Sequence, residues 1–138
     1  MMQQGRVLLA DKHSTLLGGI CRLLENEVNT VLMVADEGSL YDALQNFNPD
    51  VVVVDLALPS AGETNIAWAL KRDFPEMKII ILSLHDEPSV IDDTMAAGVE
   101  GFVLKRRTVI DLIPALREVL QGRKYISPDM SGVPGADI

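Results

Sequence analysis

The chain has 138 residues, 48% apolar and 23% charged, and its 12 basic against 20 acidic side chains give a formal net charge of -8. That size fits one domain with a real hydrophobic core, and the acidity argues against this stretch itself gripping a phosphate backbone. The lone Cys21 excludes an intrachain disulfide and a cysteine-based metal cluster, and no apolar run approaches the length of a membrane span.

Short apolar runs alternate with longer amphipathic segments five times over. The run RVLLA predicts a strand over residues 6–10, followed by a helix over 15–27 with Ser14 or Thr15 as its cap and Cys21 as a packed core thiol. A strand over 30–35 and a helix over 38–47 come next, with Glu37 and Ser39 near the helix start. VVVV predicts a strand over 51–54, and after the loop LALPSAGE a helix over 62–73 carries Trp68 as a packing or interface anchor. MKIIIL marks a strand over 77–82, and a helix over 88–97 stops at Gly98. A strand over 100–104 and a helix over 108–121 close the pattern. Pro114 inside that helix should remove a hydrogen bond and kink it unless it sits in the first turn, whereas Pro49 and Pro75 fall in turns that tolerate them. From Ser127 onward the chain is rich in Pro, Gly, Ser and Asp, so residues 1–126 read as the domain and 127–138 as a flexible tail or the start of a linker.

Runs such as VVVV and IIIL, with no polar alternation, suit central parallel strands covered by helices on both faces. Four polar residues each end such a run: Asp11 after RVLLA, Asp55 after VVVV, Ser83 after MKIIIL and Lys105 after GFVL. An open parallel sheet gathers them on the edge where such folds do their chemistry, outside the carboxyl ends of the strands. Asp55 could there be a metal ligand, a general base, a nucleophile or a cap; the loop that follows it weakens the capping reading. A carboxylate that takes a phosphoryl group needs nearby positive charge, hydrogen-bond donors and usually Mg²⁺ on oxygen ligands. Lys105, Ser83, Asp11 and the amides of the 56–60 loop could supply these. An Asp turn, a surface lysine and a serine cap are the plainer readings of the same residues.

The segments LLADKHSTLLGGICRLL, PDVVVVDLALPSAGETNIAWALK, MKIIILSLHDEPSVIDDTMAAGVEGFVLK and LREVLQGRKYISP resemble the receiver domain of bacterial two-component response regulators. The similarity runs over about residues 5–128 and is nearest to receivers that precede a LuxR/NarL-type helix-turn-helix output domain. It implies a doubly wound α/β fold, CheY-like or flavodoxin-like, with a five-stranded parallel sheet in the order 2-1-3-4-5 and five flanking helices. It also implies Asp55 as phosphoacceptor, Lys105 as the conserved lysine, Ser83 and Phe102 as switch residues, and Asp11, Asp55 and the Ala57 carbonyl as Mg²⁺ ligands. The implied function is a cytoplasmic signalling switch rather than an enzyme. Its implied partners are a sensor histidine kinase, a second copy on activation and a DNA-binding output domain outside this stretch. Neither nucleic acid nor membrane would be bound by the domain itself.

Two positions depart from the family pattern. The second acid of the metal site is Lys12, and an ammonium has no lone pair for a metal. Three readings follow: a degenerate receiver that acts as a phosphorylation-independent interaction module, a Lys12 ammonium that pairs with Asp55 and Asp11, or a lysine turned to solvent. In the loop after Asp55, Gly62 stands one place early and Glu63 takes the usual glycine position, which puts the loop's shape in question. His13 reads as a cap or surface residue and His85 as solvated or loop-anchoring, while Asp86, Glu87, Asp92, Asp93 and Glu100 read as a solvated face. A small phosphatase-like or flavin-binding enzyme is the remaining rival, disfavoured because no second catalytic acid closely follows Asp55 and no Gly-rich phosphate loop is present.

Overall fold

The computed structural model describes residues 5–12, 14–61 and 65–128, the side chains of 14–17 excepted. Strands β1 (Arg6–Ala10), β2 (Thr30–Val34), β3 (Val51–Asp55), β4 (Lys78–Ser83) and β5 (Gly101–Leu104) alternate with helices α1 (Ser14–Glu25), α2 (Glu37–Asn46), α3 (Ile66–Asp73), α4 (Pro88–Ala96) and α5 (Thr108–Leu120). A short strand β6 (Tyr125–Ile126) follows. All neighbours pair in parallel, in the order β2-β1-β3-β4-β5-β6. The expected 2-1-3-4-5 order is therefore present, with a sixth strand added at the β5 edge.

The unalternated runs are explained by what covers them. Val52 and Val54 of β3 join Leu40, Leu44, Ile66 and Leu70 of α2 and α3 in one core. Val51 and Val53 join Ile20, Leu24, Leu112 and Leu116 of α1 and α5 in another. Both faces of the central strands are thus dry, and every residue of β3 is buried. At the edge strand β2 the cover thins, leaving Leu32 and Met33 exposed.

Local chemistry sets the element ends. Glu37 and Ser39 lie in the first turn of α2 as expected, and Asp36 caps it by accepting the Ser39 N–H at 2.7 Å. Helix α3 begins at Ile66 rather than at 62, because the Asn65 side chain accepts the Trp68 N–H at 3.1 Å and closes the first turn. Trp68 itself is exposed. Gly98 ends α4 at φ 101°, a left-handed conformation that glycine adopts without strain. Pro114 lies inside α5, which runs unbroken from Thr108 to Leu120. The N–H that proline lacks is the one that would reach the carbonyl of Ile110, an exposed residue. Glu100 corrects the solvated-face reading: its carboxylate accepts the Lys71 ammonium at 2.9 Å and the Ile79 N–H at 2.9 Å, which ties α3 to the start of β4. Cys21 is buried as expected. The readings for His13, for the Ser14 or Thr15 cap, and for Gly62 and Glu63 fall outside the described residues or side chains.

Candidate functional site

The strand order reverses between β1 and β3, which are hydrogen-bonded neighbours paired Ala10↔Val54. Their last residues lead into Asp11 and Asp55 side by side. Ser83 ends β4, and Lys105 follows β5 as the first residue of a single 3-10 turn, Lys105–Arg107. The four polar strand ends meet at one sheet edge, at the switch point that the topology creates.

They do not all engage one another. The Lys105 ammonium lies 2.8 Å from Asp55 Oδ2, in a hydrogen bond, and 3.2 Å from Asp11 Oδ2, an ion pair without hydrogen-bond alignment. All three side chains are withdrawn from water, at 5% exposure for Lys105, 2% for Asp55 and 0% for Asp11. Asp55 Oδ1 accepts the Ala57 N–H at 3.0 Å. The Ser83 hydroxyl is turned elsewhere, donating to the His85 carbonyl and accepting the His85 N–H, each at 3.0 Å. Phe102 is fully buried in the α2–α3–α4 core. Lys12 is exposed, and the ion pairs to Asp11 and Asp55 come from Lys105.

Three contributors were not legible along the chain. Glu37, at the start of α2, accepts the Ser60 hydroxyl at 2.6 Å and the Ala61 N–H at 3.1 Å, and so tethers the loop that leaves Asp55. Asp111 on α5 accepts from Arg107, Tyr125 and Ser127 at 2.7, 2.8 and 2.7 Å. Burial pushes its carboxyl up, but those three donors outweigh burial and hold it below the usual carboxylate value. Burial and the same hydrogen bond push the Tyr125 hydroxyl up to about 12. Ser127 completes the set: its Oγ also accepts the N–H of Leu104, the residue before Lys105, at 3.0 Å. Only the Arg107–Asp111 spacing is readable locally, as an i,i+4 pair.

The donor set does not match a dedicated Mg²⁺ site. Magnesium demands several oxygen ligands in octahedral array. Here an ammonium already stands against both carboxylates, and the neighbouring position offers Lys12 instead of an acid. Among the described residues no group of three or more His, Cys, Asp or Glu side chains is placed to hold a metal. The Mg²⁺ site that the family resemblance implies is altered at its second acid, and Lys105 engages the two carboxylates that would carry the metal, an arrangement consistent with weakened metal binding.

Residues 7–117 match the family model for the response regulator receiver domain. The chain belongs to the response regulator receiver domain family. It is 28% identical over 128 residues to the transcriptional regulatory protein DegU of Brevibacillus brevis, covering 91% of this chain and 54% of DegU. The non-phosphorylated receiver domain of the stress response regulator RcsB from Escherichia coli superposes with a TM-score of 0.82 at 30% identity, over 92% of this chain and 100% of that one. The receiver domain of the response regulator NarL from Mycobacterium tuberculosis gives 0.76 at 26% identity, over 88% and 99% of the two chains. The receiver is thus related to the LuxR/NarL-type regulators, a group associated with transcriptional control. It spans about half the length of the curated relatives it matches. A receiver of this family is a signalling module rather than an enzyme. Family members take signals from histidine kinases, dimerise and act through DNA-binding output domains. Among the described residues no helix is long and apolar enough to cross a membrane.

Proposed function

We propose that this receiver is an interaction module whose state is set by the buried Lys105–Asp55–Asp11 ion cluster rather than by metal-assisted phosphorylation. The observation that carries the reading is that one ammonium serves both carboxylates at 2.8 and 3.2 Å, while the position of the missing acid is an exposed lysine. Breaking such a cluster from one side leaves buried charge uncompensated, so the arrangement resists change. DegU is a transcriptional regulatory protein and is longer than this chain, which supports a role in transcription control. The surfaces beside the cluster would meet a second copy, a sensor histidine kinase or a helix-turn-helix output domain in the cytoplasm. DNA contact would belong to the output domain, since this module is acidic.

A second reading, phosphorylation on Asp55, is favoured by the three groups at adjacent strand ends. A carboxylate oxygen of Asp55 would attack phosphorus, and the bond from phosphorus to the donor's leaving group would break with its electron pair going to that group. Lys105 would move from the carboxylate to the new phosphoryl oxygens. Ser83 would give up both bonds to His85 and turn toward them, and the Phe102 ring would repack. Asp11, Asp55 and the Ala57 carbonyl are the groups that would face a metal in that reading.

Magnesium titration joined to self-association separates the two. The lead reading predicts no saturable Mg²⁺ binding, and sedimentation behaviour that a small phosphoryl donor leaves unchanged in the wild type as in Asp55→Asn. A donor-driven change in association that is absent from Asp55→Asn would move the second reading to the front.

A further inference from the structure

The sixth strand is more than trim on the sheet edge. Tyr125 and Ile126 pair with Gly101 and Phe102, and the Ser127 N–H continues the ladder to the Phe102 carbonyl at 2.8 Å. The segment lies past residue 117, where the match to the family model ends, but within the stretch LREVLQGRKYISP that resembles the family's receivers. Two independent sets of bonds hold it. The backbone set belongs to the sheet. The side-chain set converges on Asp111, a buried acid that no part of the phosphoryl or ion-cluster chemistry uses.

The Ser127 hydroxyl is the joint between them. It donates to Asp111 Oδ2 at 2.7 Å and accepts the Leu104 N–H at 3.0 Å, and it is 4% exposed. Leu104 is followed directly by Lys105, whose carbonyl accepts the Thr108 hydroxyl at 2.8 Å and whose ammonium holds Asp55 and Asp11. Arg107, in the same short turn as Lys105, grips Asp111 at 2.7 Å. The backbone that aims Lys105 is therefore clamped on both sides by bonds that end on Asp111 or Ser127.

We propose that residues 125–127 form a releasable clasp that couples the Lys105–Asp55–Asp11 cluster to the chain leaving the domain. Docked, the clasp fixes the Leu104–Lys105 backbone and with it the reach of the Lys105 side chain. Released, it leaves the Leu104 N–H without Ser127 and Asp111 with Arg107 alone, and it opens the parallel edge of β5. Any partner that draws on the segment after Ser127 thus changes the cluster, and any change at the cluster loosens or tightens the segment, because such coupling is reciprocal. The path is short and contiguous, and every link in it is a hydrogen bond, a peptide bond or an ion pair. It operates whether or not Asp55 takes a phosphoryl group.

Amide exchange and resonance shifts in the 138-residue chain test it. Ser127→Ala should speed exchange at Leu104, Tyr125 and position 127 by about tenfold, the weight of one buried hydrogen bond. It should also shift the Lys105 ammonium and Ala57 amide resonances. Ser127→Thr, which keeps the hydroxyl, should restore both, and Arg123→Ala, in the exposed connector, should change neither. In the reverse direction Asp55→Asn, with Ser127 intact, should alter protection of the Ser127 amide, which keeps the test decisive even where Ser127→Ala folds poorly. Faster exchange confined to 125–127 with the Lys105 and Ala57 signals unmoved would overturn the coupling. So would an Asp55→Asn protein whose Ser127 protection equals that of the wild type.

Discussion

Glu37 holds Ser60. The carboxylate at the first turn of α2 accepts that hydroxyl at 2.6 Å and the next residue's N–H at 3.1 Å, bridging 23 residues of chain to pin the loop that follows Asp55. The same loop presents the Ala57 N–H to Asp55, so Glu37 shapes the site without touching it. Glu37→Ala should cost about 1 kcal/mol of stability, the usual net worth of a lost hydrogen bond, and should speed amide exchange at Ala61. Exchange at Ala61 equal to wild type would show that the loop holds itself.

Lys105 should be the costliest charge in the domain to remove. Lys105→Met leaves two buried carboxylates facing each other, and breaking a buried pair from one side costs about 3–5 kcal/mol. Asp55→Asn in the same chain should recover part of that loss. Urea denaturation of the two single variants and the double variant closes the cycle, and strictly additive losses would refute the ion cluster as a coupled unit.

Acid should weaken the domain through Asp111. Its folded-state carboxyl sits below the usual value because the bonds from Arg107, Ser127 and Tyr125 outweigh its burial. A depressed acid contributes stability that is complete above the unfolded-state value of about 3.9 and is lost as pH falls through the lower folded value. Asp111→Asn should therefore be less stable than wild type at neutral pH, and the gap should close only below about pH 4. A gap that is constant from neutral pH into acid would assign the loss to packing instead.

Gly101 is required by close approach, not by backbone conformation. A Cβ there would lie 2.9 Å from Ile80 Cγ1, a branched side chain fixed in the core of the neighbouring strand. Gly101→Ala should destabilise by about 1–3 kcal/mol, as overpacking does, and thermal unfolding measures it. A midpoint matching wild type would mean that β4 and β5 can part without penalty.

Much of this was legible along the chain and some was not, for identifiable reasons. The apolar runs of β3 and β4 specify buried parallel strands because nothing polar interrupts them, and they place Asp55 and Ser83 at strand ends at once. Lys12 was legible as a departure, but not that Lys105 would answer both acids, since that depends on side chains brought together from β1, β3 and the turn after β5. Glu100 read as part of a solvated face, and the tethering roles of Glu37 and Asp111 gave no signal, because their partners lie on other elements. Ser127 read as tail because a two-residue strand carries no periodicity; its place is set by the β5 edge and Asp111.

The most direct test of the account is the intact mass of the protein after incubation with a small phosphoryl donor, with and without Mg²⁺, beside Asp55→Asn. The account predicts no Mg²⁺-dependent addition of a phosphoryl group to folded wild-type protein, because Lys105 occupies both carboxylates and Lys12 replaces the missing acid. An adduct that requires Mg²⁺ and disappears in Asp55→Asn would contradict it and make the receiver a working phosphoswitch.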